Sequence, residues 1–294
     1  MEVCVSSDSN GGDALVLRHV TKHYKNFSLE DVSLTLPKGC IMGFIGENGA
    51  GKSTTIKLIL DLIRKDGGEI TLLGSDHTKL DRKLREHVGV VLDESHFPDE
   101  LTVKNVRSMM NHFYKTWDND RFQAFVKTYK IPADRKLKDF SRGMKMKLNM
   151  GVALCHDTRL LILDEATSGM DPVVRGEMLD LMLDFIQDEE HSIFISSHIL
   201  SDLEKICDYI AFIHKGRMLL CDDKEKILEE HGMLRCSAGE LEQLMPEAIV
   251  GVRRYAFGVE ALVKRSLLPR GMSAEGASLE DIMLFYTSDR EVLQ

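Results

Sequence analysis

The sequence predicts an α/β fold built around a parallel β-sheet, and two observations favour it. Short apolar segments such as "CIMGFIG", "RLLILD" and "SIFISS" are typical of buried strands, and segments with helical apolar spacing such as "KSTTIKLILDLI" lie between them. Strands that alternate with helices along a chain favour a parallel sheet. The 294 residues are 43% hydrophobic and 29% charged, which is enough chain for one large domain or two smaller ones.

The N-terminal part of the chain predicts further strands. "ALVLRHVTKHY" alternates apolar and polar residues, as half-buried strands do, and "SLEDVSLTLPKG" predicts a second strand that ends in a Pro-Lys-Gly turn. "DGGEITLLG" and "EHVGVVLD" predict two more. The residues before Ala14 lack the basic and apolar regions of a signal peptide, so residues 1–13 are expected to form a flexible tail.

A mostly helical region is predicted from about 95 to 154. Thr102 is placed to cap the helix of "VKNVRSMMNHFY", and Phe122, Phe125, Val126 and Tyr129 fall on one face of the next. A later helix is expected to begin at Pro172, because Asp171 is a good N-cap and proline suits the first helical position.

The character of the chain changes at about residue 226. Two capping signals, "SAGE" with Ser237 and Glu240 and "SLED" with Ser278 and Asp281, predict short helices there. We therefore expect a small C-terminal α+β extension over 226–294, either extending a dimer interface, regulating closure, or covering one edge of the main domain.

Charge, cysteine and hydropathy patterns exclude several classes of protein. The net charge of −9 argues against a protein that binds nucleic acid through the phosphate backbone. The six cysteines lie without a CxxC pair, so reduced thiols in a cytosol are expected. No apolar run approaches the roughly 20 residues that span a bilayer. If the protein serves a membrane, another chain spans it.

The segment "GENGAGKST" carries the strongest functional signal. It matches the pattern GxxxxGK[ST] and lies between a predicted strand and a predicted helix. Backbone N–H groups of such a loop surround phosphates, the Lys52 ammonium reaches the β- and γ-phosphates, and the Ser53 hydroxyl binds Mg²⁺. The predicted ATP-binding residues of this loop are Gly46, Glu47, Asn48, Gly49, Ala50, Gly51, Lys52, Ser53 and Thr54.

Two acids follow a later apolar strand. In "LLILDEA", Asp164 and Glu165 stand at the end of the strand, where a parallel sheet presents side chains to a ligand. Asp164 is expected to hold Mg²⁺ through a water molecule and Glu165 to polarise the attacking water. The alternative, a solvated acidic turn, is disfavoured by the phosphate loop upstream.

Together with these motifs, Tyr24, "FSRGMK", "SGMD" and "SSHIL" stand in an order that resembles the ATP-binding subunits of ATP-binding cassette (ABC) transporters. The resemblance covers roughly residues 14–225, and the S-x-G-M-K variant is similar to that of export-type subunits such as the YtrB-like group and the lantibiotic and bacitracin-resistance ATPases. It implies a P-loop NTPase (RecA-like) core with an antiparallel β subdomain and a helical subdomain at about 95–154. It also implies ATP hydrolysis with Mg²⁺.

The resemblance assigns roles outside the phosphate loop. Tyr24 is expected to stack on adenine, unless it is an ordinary strand tyrosine, and His198 to bind the γ-phosphate and position water. Ser141 and Gly143 are expected to contact ATP bound by a second ATP-binding subunit in a head-to-tail dimer, which is a homodimer or a heterodimer. Ser168 and Asp171 are expected at that interface.

The sequence departs from the family pattern at two places. Asp93 stands where a glutamine is usual, and it is expected to contact Mg²⁺, with Glu94 as an alternative. In "SRGMK", Arg142 and Met144 replace the first glycine and the glutamine of the LSGGQ signature. Arg142 is either a solvent-facing bystander or a cation close to the ATP that is bound across the interface.

The expected function is to energise a membrane transporter whose permease is a separate chain. Export of peptides or antibiotics is suggested by resemblance alone, with the subunit on the cytoplasmic face of the cell membrane. The alternative is a soluble ATPase of the same superfamily with a regulatory, repair or translation role. The permease is expected to contact the helical region, where four aromatic residues are candidates for contact or for core packing: Phe97, Phe113, Tyr114 and Trp117.

Overall fold

The structure is a computed structural model, and it describes residues 12–93, 97–255 and 258–287. Three sheets and the helices between them form a main body and a smaller C-terminal unit. The prediction of an α/β fold with a parallel sheet, an antiparallel sheet, a helical region and a C-terminal α+β extension is confirmed. The exact domain boundaries stay predictions.

The described residues contain fourteen strands and ten α-helices. The strands are β1 (Asp13–His23), β2 (Ser28–Pro37), β3 (Ile41–Ile45), β4 (Gly67–Leu72), β5 (Ser75–Asp76), β6 (Val88–Val91), β7 (Leu160–Asp164), β8 (Ser192–Ser197), β9 (Tyr209–His214), β10 (Arg217–Asp223), β11 (His231–Cys236), β12 (Ile249–Tyr255), β13 (Gly258–Lys264) and β14 (Glu275–Gly276). The helices are α1 (Lys52–Ile59), α2 (Arg82–Arg85), α3 (Val103–Phe113), α4 (Asn119–Thr128), α5 (Arg142–Leu154), α6 (Pro172–Phe185), α7 (Leu200–Ile206), α8 (Lys224–Glu230), α9 (Ala238–Leu241) and α10 (Leu279–Thr287).

The central sheet has the order β10-β9-β3-β8-β7-β6, and all its pairings are parallel except that of β9 with β10. Every residue of β3, β7 and β8 is buried, because both faces of this sheet are covered. Alternate side chains therefore enter two different cores, which explains why these strands are continuously apolar.

One face of the central sheet packs against α5, α6 and α7. The other face packs against α1 and the antiparallel sheet β2-β1-β4-β5. This arrangement places the carboxyl ends of β3, β7 and β8 at one edge, where the loops that follow them can form a common site.

The helices α3, α4 and α5 share a third core around Trp117 and Phe122. Thr102 begins α3 as predicted: its hydroxyl accepts from the Asn105 N–H at 3.3 Å, and the Asn105 side chain accepts from the Thr102 N–H at 2.9 Å. Both capping donors are thus satisfied locally, which is why the helix starts there.

The C-terminal unit contains the antiparallel sheet β12-β13-β11-β14 and the helices α8, α9 and α10. The predicted caps are present, because the hydroxyls of Ser237 and Ser278 accept from the N–H groups of Glu240 and Asp281. Helix α10 packs against α7 of the main body, and the Leu279 N–H donates to a Glu204 carboxylate oxygen at 3.1 Å.

No helix in the described ranges is long and apolar enough to cross a membrane. Five of the six cysteines lie in these ranges and are free thiols. Burial raises the pKa of Cys155 to about 12, so this thiol stays protonated and behaves as a small apolar side chain.

Candidate functional site

The phosphate loop connects β3 to α1, and its fold requires glycine at two positions. A Cβ atom at Gly46 would lie 2.5 Å from the Ile213 carbonyl oxygen. Gly51 has a φ of +118°, and a Cβ atom there would lie 2.5 Å from a Leu29 methyl group. Because backbone and core close in on both positions, only glycine lets the chain turn here.

The Lys52 side chain folds back over this loop. Its ammonium donates to the carbonyl oxygen of Gly46 at 2.7 Å and to that of Glu47 at 3.3 Å, and the residue is only 6% exposed. The same ammonium lies 3.4 Å from Oε1 of Glu165. The lysine charge is therefore fixed between the phosphate loop and the acidic pair at the end of β7.

Helix α1 begins at the cavity without a side-chain cap, because the residue before it is Gly51. The first N–H groups of a helix lack partners within the helix and attract anions when no side chain caps them. Ser53 and Thr54 in this first turn line the cavity.

Asp164 and Glu165 are held in place by a serine of the neighbouring strand. The buried Asp164 carboxylate accepts from the Ser196 hydroxyl at 2.5 Å. The Glu165 N–H is 3.0 Å from the Ser196 carbonyl oxygen and 3.2 Å from its hydroxyl oxygen. Glu165 has a φ of +52°, which is uncommon for a residue with a side chain. Sequence reasoning missed Ser196, although the polar end of "SIFISS" was visible.

Glu165 connects Lys52 and His198, which lie on either side of it. Its Oε2 lies 2.6 Å from Nδ1 of His198, which directly follows β8, and its Oε1 faces Lys52. Lys52, Glu165 and His198 thus form one row of interacting polar side chains, as expected if all three act on the same ligand.

A cavity of about 740 Å³ lies over this row. Its walls come from the phosphate loop, from α1 and from the segments that follow β6, β7 and β8. The lining residues are Asn26, Phe27, Glu47, Asn48, Gly49, Gly51, Lys52, Ser53, Thr54, Asp93, Arg142, Glu165, Ser168 and His198. Other predicted site residues lie outside this lining: Tyr24, Gly46, Ala50, Ser141, Gly143, Met144, Asp164 and Asp171.

Tyr24 is 47% exposed, and the Lys22 ammonium lies 5.5 Å from the centre of its ring. The turn that follows it brings Asn26 and Phe27 to the cavity, closed by a 2.8 Å hydrogen bond from the Tyr24 N–H to the Phe27 carbonyl oxygen. Sequence reasoning did not include Asn26 or Phe27. The role of Tyr24 in stacking on adenine stays a prediction.

Ser141 caps helix α5, since its hydroxyl accepts from the Met144 N–H at 3.3 Å. Gly143, the second residue of the helix, lies against Val174 of α6, so that a Cβ atom would come within 3.1 Å of a Val174 methyl group. The expected contacts of Ser141 and Gly143 with the ATP of a second subunit stay predictions.

Arg142 forms an ion pair with Asp93 of the same chain. Its guanidinium also lies against Gly169 in the loop after β7, because a Cβ atom at that glycine would be 3.2 Å from Nη1. The sequence does not predict this pair, because 49 positions separate Arg142 from Asp93. Glu94, the alternative to Asp93, lies outside the described residues.

The "SGMD" segment leads from β7 into α6. Ser168 lines the cavity, and Asp171 caps the helix as predicted, because its carboxylate accepts from the N–H groups of Val173 and Val174 at 3.1 Å each. Its expected place at a dimer interface stays a prediction.

Comparisons with known proteins agree with this geometry. Residues 29–168 match the model of the ABC transporter family. The chain is 32% identical over 206 residues to the ABC transporter ATP-binding protein YtrB of Bacillus subtilis (strain 168). This match covers 70% of this chain and 70% of YtrB. It is 32% identical over 203 residues to the bacitracin transport ATP-binding protein BcrA of Bacillus licheniformis, covering 68% of this chain and 66% of BcrA.

A solved structure of an ATP-binding subunit of an ABC transporter has the same fold. It superposes with a TM-score of 0.65 and 26% identity over 73% of this chain and 91% of its own. The sequence motifs, the geometry of the site and the extent of these matches lead to one assignment. The chain belongs to the ABC transporter family, as one of its ATP-binding and ATP-hydrolysing subunits.

Proposed function

We propose that this subunit drives a membrane exporter of peptides or antibiotics. The permease is a separate chain, and the subunit lies on the inner face of the cell membrane. The observation that carries the proposal is the position of Glu165 between Lys52 and His198 at the cavity. Export is supported by the similarity to BcrA, which is a bacitracin transport protein.

The phosphate loop and the first turn of α1 are suited to hold the phosphates of ATP. Phosphoryl transfer depends on positioning and charge neutralisation more than on covalent participation of the protein. Lys52 provides a fixed positive charge, and the uncapped helix start provides N–H donors.

The residues present also fit Mg²⁺. In the described part of the chain, no cluster of three His, Cys, Asp or Glu side chains could hold a metal ion alone. Mg²⁺ prefers oxygen ligands and commonly uses one or two carboxylates together with substrate phosphates. Ser53, Asp93 and Asp164 offer a hydroxyl and two carboxylates for this purpose, and the ion would neutralise phosphate charge.

Glu165 is placed to orient and polarise the attacking water. Its hydrogen bond to His198 and its ion pair with Lys52 fix both carboxylate oxygens. A second ATP-binding subunit would add Ser141 and Gly143 from its own helix α5 and would meet this one near Ser168 and Asp171. ATP-driven dimerisation would then couple hydrolysis to transport.

The experiment that tests the proposal is replacement of Glu165 by glutamine. Glu165→Gln should slow hydrolysis by on the order of 10²-fold or more, retain ATP binding and accumulate an ATP-bound dimer, because the amide cannot act as a base. Asp157→Asn is a matched control, since Asp157 lies 3.1 Å from His87 outside the cavity. Normal hydrolysis by the Glu165 variant would refute the role.

An apolar cleft of about 370 Å³ beside α3 is the proposed docking site for a cytoplasmic helix of the permease. Its lining includes Phe97, Met109, Phe113 and Tyr114, whereas Trp117 lies in the core instead. Phe113 is 65% exposed and Met109 is 40% exposed. An amphipathic helix would cover these side chains, as in other helix-in-groove complexes.

Co-purification with the permease tests this surface. Phe113→Glu should abolish the complex while the free subunit still binds ATP, because the side chain is exposed and its loss leaves the core intact. Leu62→Glu is the matched control, since Leu62 is 61% exposed and lies outside the cleft. Stimulation of the ATPase by ribosomes or DNA, without any permease complex, would favour the soluble alternative.

A further inference from the structure

Two of the residues at which this chain departs from the expected family pattern, Asp93 and Arg142, contact each other. Asp93 follows β6 of the central sheet, and Arg142 is the first residue of α5. Their side chains form an ion pair, and both line the nucleotide cavity. The carboxylate and the guanidinium thus form one feature of the site.

The pair joins two parts of the molecule at the rim of the cavity. Arg142 lies between Asp93 and Gly169, so the first turn of α5 is tied to the ends of β6 and β7. The side chains are 46% and 49% exposed, which means that water screens the pair and that a ligand can reach it. Asp93 is the one acidic partner recorded for Arg142 within the described residues.

We infer that Arg142 is a positioning residue for Asp93 of its own chain, which restrains that carboxylate and thereby sets the Mg²⁺ concentration that the bound nucleotide requires. This inference rests on the proposed function, since it concerns the same nucleotide site. It differs from both expectations drawn from the sequence, because Arg142 acts neither as a solvent-facing bystander nor on the ATP of a second subunit.

The physical reason is competition for one carboxylate. The Asp93 carboxylate is paired with the Arg142 guanidinium, and this ion pair must weaken or break before the carboxylate can bind Mg²⁺ fully. A half-exposed ion pair stabilises its partners by at most about 1 kcal/mol, which corresponds to roughly a fivefold change in an equilibrium constant. Removing Arg142 should therefore lower the half-saturating Mg²⁺ concentration about two- to fivefold.

The test is a MgCl₂ titration of the binding of a fluorescent ADP analogue, at a protein concentration at which light scattering shows a monomer. Arg142→Gln should shift the midpoint to lower Mg²⁺, and Asp93→Asn should shift it to higher Mg²⁺. The double variant should match Asp93→Asn, because Arg142 acts through that carboxylate. Arg142→Lys should restore most of the wild-type midpoint.

Lys145→Gln is the matched control. Lys145 lies on the same helix, carries the same charge and pairs with Asp99 at 2.9 Å, but it does not line the cavity. Its replacement should leave the midpoint unchanged, which separates a local effect of Arg142 from a general loss of positive charge. The difference between wild type and Arg142→Gln should also shrink at high salt.

Two results would overturn this inference and leave the proposed function intact. One is an unchanged midpoint in Arg142→Gln while the wild-type protein binds the nucleotide normally. The other is an equal shift when Arg142 is replaced in the Asp93→Asn background, since the effect would then not pass through Asp93. If instead the wild-type protein fails to bind the nucleotide, or Lys52→Ala binds it equally well, the proposed function fails and the inference fails with it.

Discussion

Glu165 shows how strongly one residue of the site depends on its neighbours. Its backbone has a φ of +52°, a conformation that costs free energy for any residue with a side chain. The two hydrogen-bonding contacts from its N–H to Ser196 hold that conformation. Since the Ser196 hydroxyl also donates to Asp164, one serine positions both acids at the end of β7.

Ser196→Ala should lower the turnover number about tenfold and leave the nucleotide affinity within about threefold, because displacement of Glu165, in its proposed role, weakens mainly the transition state. Steady-state ATPase kinetics and nucleotide titration measure the two effects. Ser192→Ala is the matched control, because Ser192 is equally buried at the opposite end of the same strand, away from the cavity. Equal losses in both variants would show that Ser196 serves only the stability of β8.

The site residues that the sequence predicts are marked by motifs of neighbouring residues, whereas the ones that it misses depend on contacts between distant segments. The phosphate loop is contiguous, so its residue types and its place between β3 and α1 predict the cavity wall directly. Ser196 acts through the pairing of β7 with β8, and Arg142 meets Asp93 only after α5 packs beside the central sheet. Such contacts depend on tertiary structure that one sequence does not specify.

At the scale of whole elements, helix starts were the most predictable features. Thr102, Asp171 and Ser237 each cap a helix by accepting from N–H groups two or three residues later. The order of the strands was not predictable in the same way, because β3 lies between β8 and β9, which come about 150 residues later. Capping is decided within four residues, whereas strand order is decided by packing over the whole chain.

The cap of α6 can be separated from any role of Asp171 at a dimer interface. Asp171→Ala should lower the free energy of unfolding by about 0.5–2 kcal/mol, whereas Asp171→Asn should preserve most of it, because asparagine caps helices as well as aspartate does. Urea denaturation measures both variants. If Asp171→Asn is stable but fails to dimerise with ATP, the negative charge acts at the interface. Equal destabilisation by both substitutions would contradict the capping argument.

For the whole molecule, two buried histidines make stability depend on pH. Burial lowers the pKa of His156 and His231 below the ordinary value of 6.5. In the unfolded chain these groups take up protons as the pH falls through 6.5, whereas the folded state still keeps them neutral. Their contribution is therefore complete above pH 6.5 and is lost as the pH falls toward their lowered pKa values.

The free energy of unfolding, measured by urea denaturation, should consequently be smaller at pH 5.5 than at pH 7.5. His231→Gln should show a smaller difference between the two pH values than the wild type, even if it is less stable at both. An exposed histidine, His112, provides the control, because His112→Gln should leave the difference unchanged. A pH difference that persists undiminished in His231→Gln would show that other groups cause it.

The C-terminal unit is built into the main body. Ile282 and Phe285 of α10 lie in the same core as Leu203 and Ile206 of α7, and α7 begins two residues after His198. The helix that follows His198 therefore packs against the C-terminal unit. Of the roles expected for this extension, the packing favours covering one edge of the main domain.

Ile282→Ala should lower the free energy of unfolding by about 2–5 kcal/mol, because Ile282 is only 2% exposed and its removal leaves a cavity against α7. Since the two units share this core, thermal unfolding should remain a single transition, and ATPase activity should be lost at a correspondingly lower temperature. Leu284→Ala is the control on the same helix, because Leu284 is 36% exposed and should cost far less. The contrary result is two separate thermal transitions, with Ile282→Ala lowering only the first and ATPase activity being lost at the second. That result would show that the C-terminal unit folds independently of the main body.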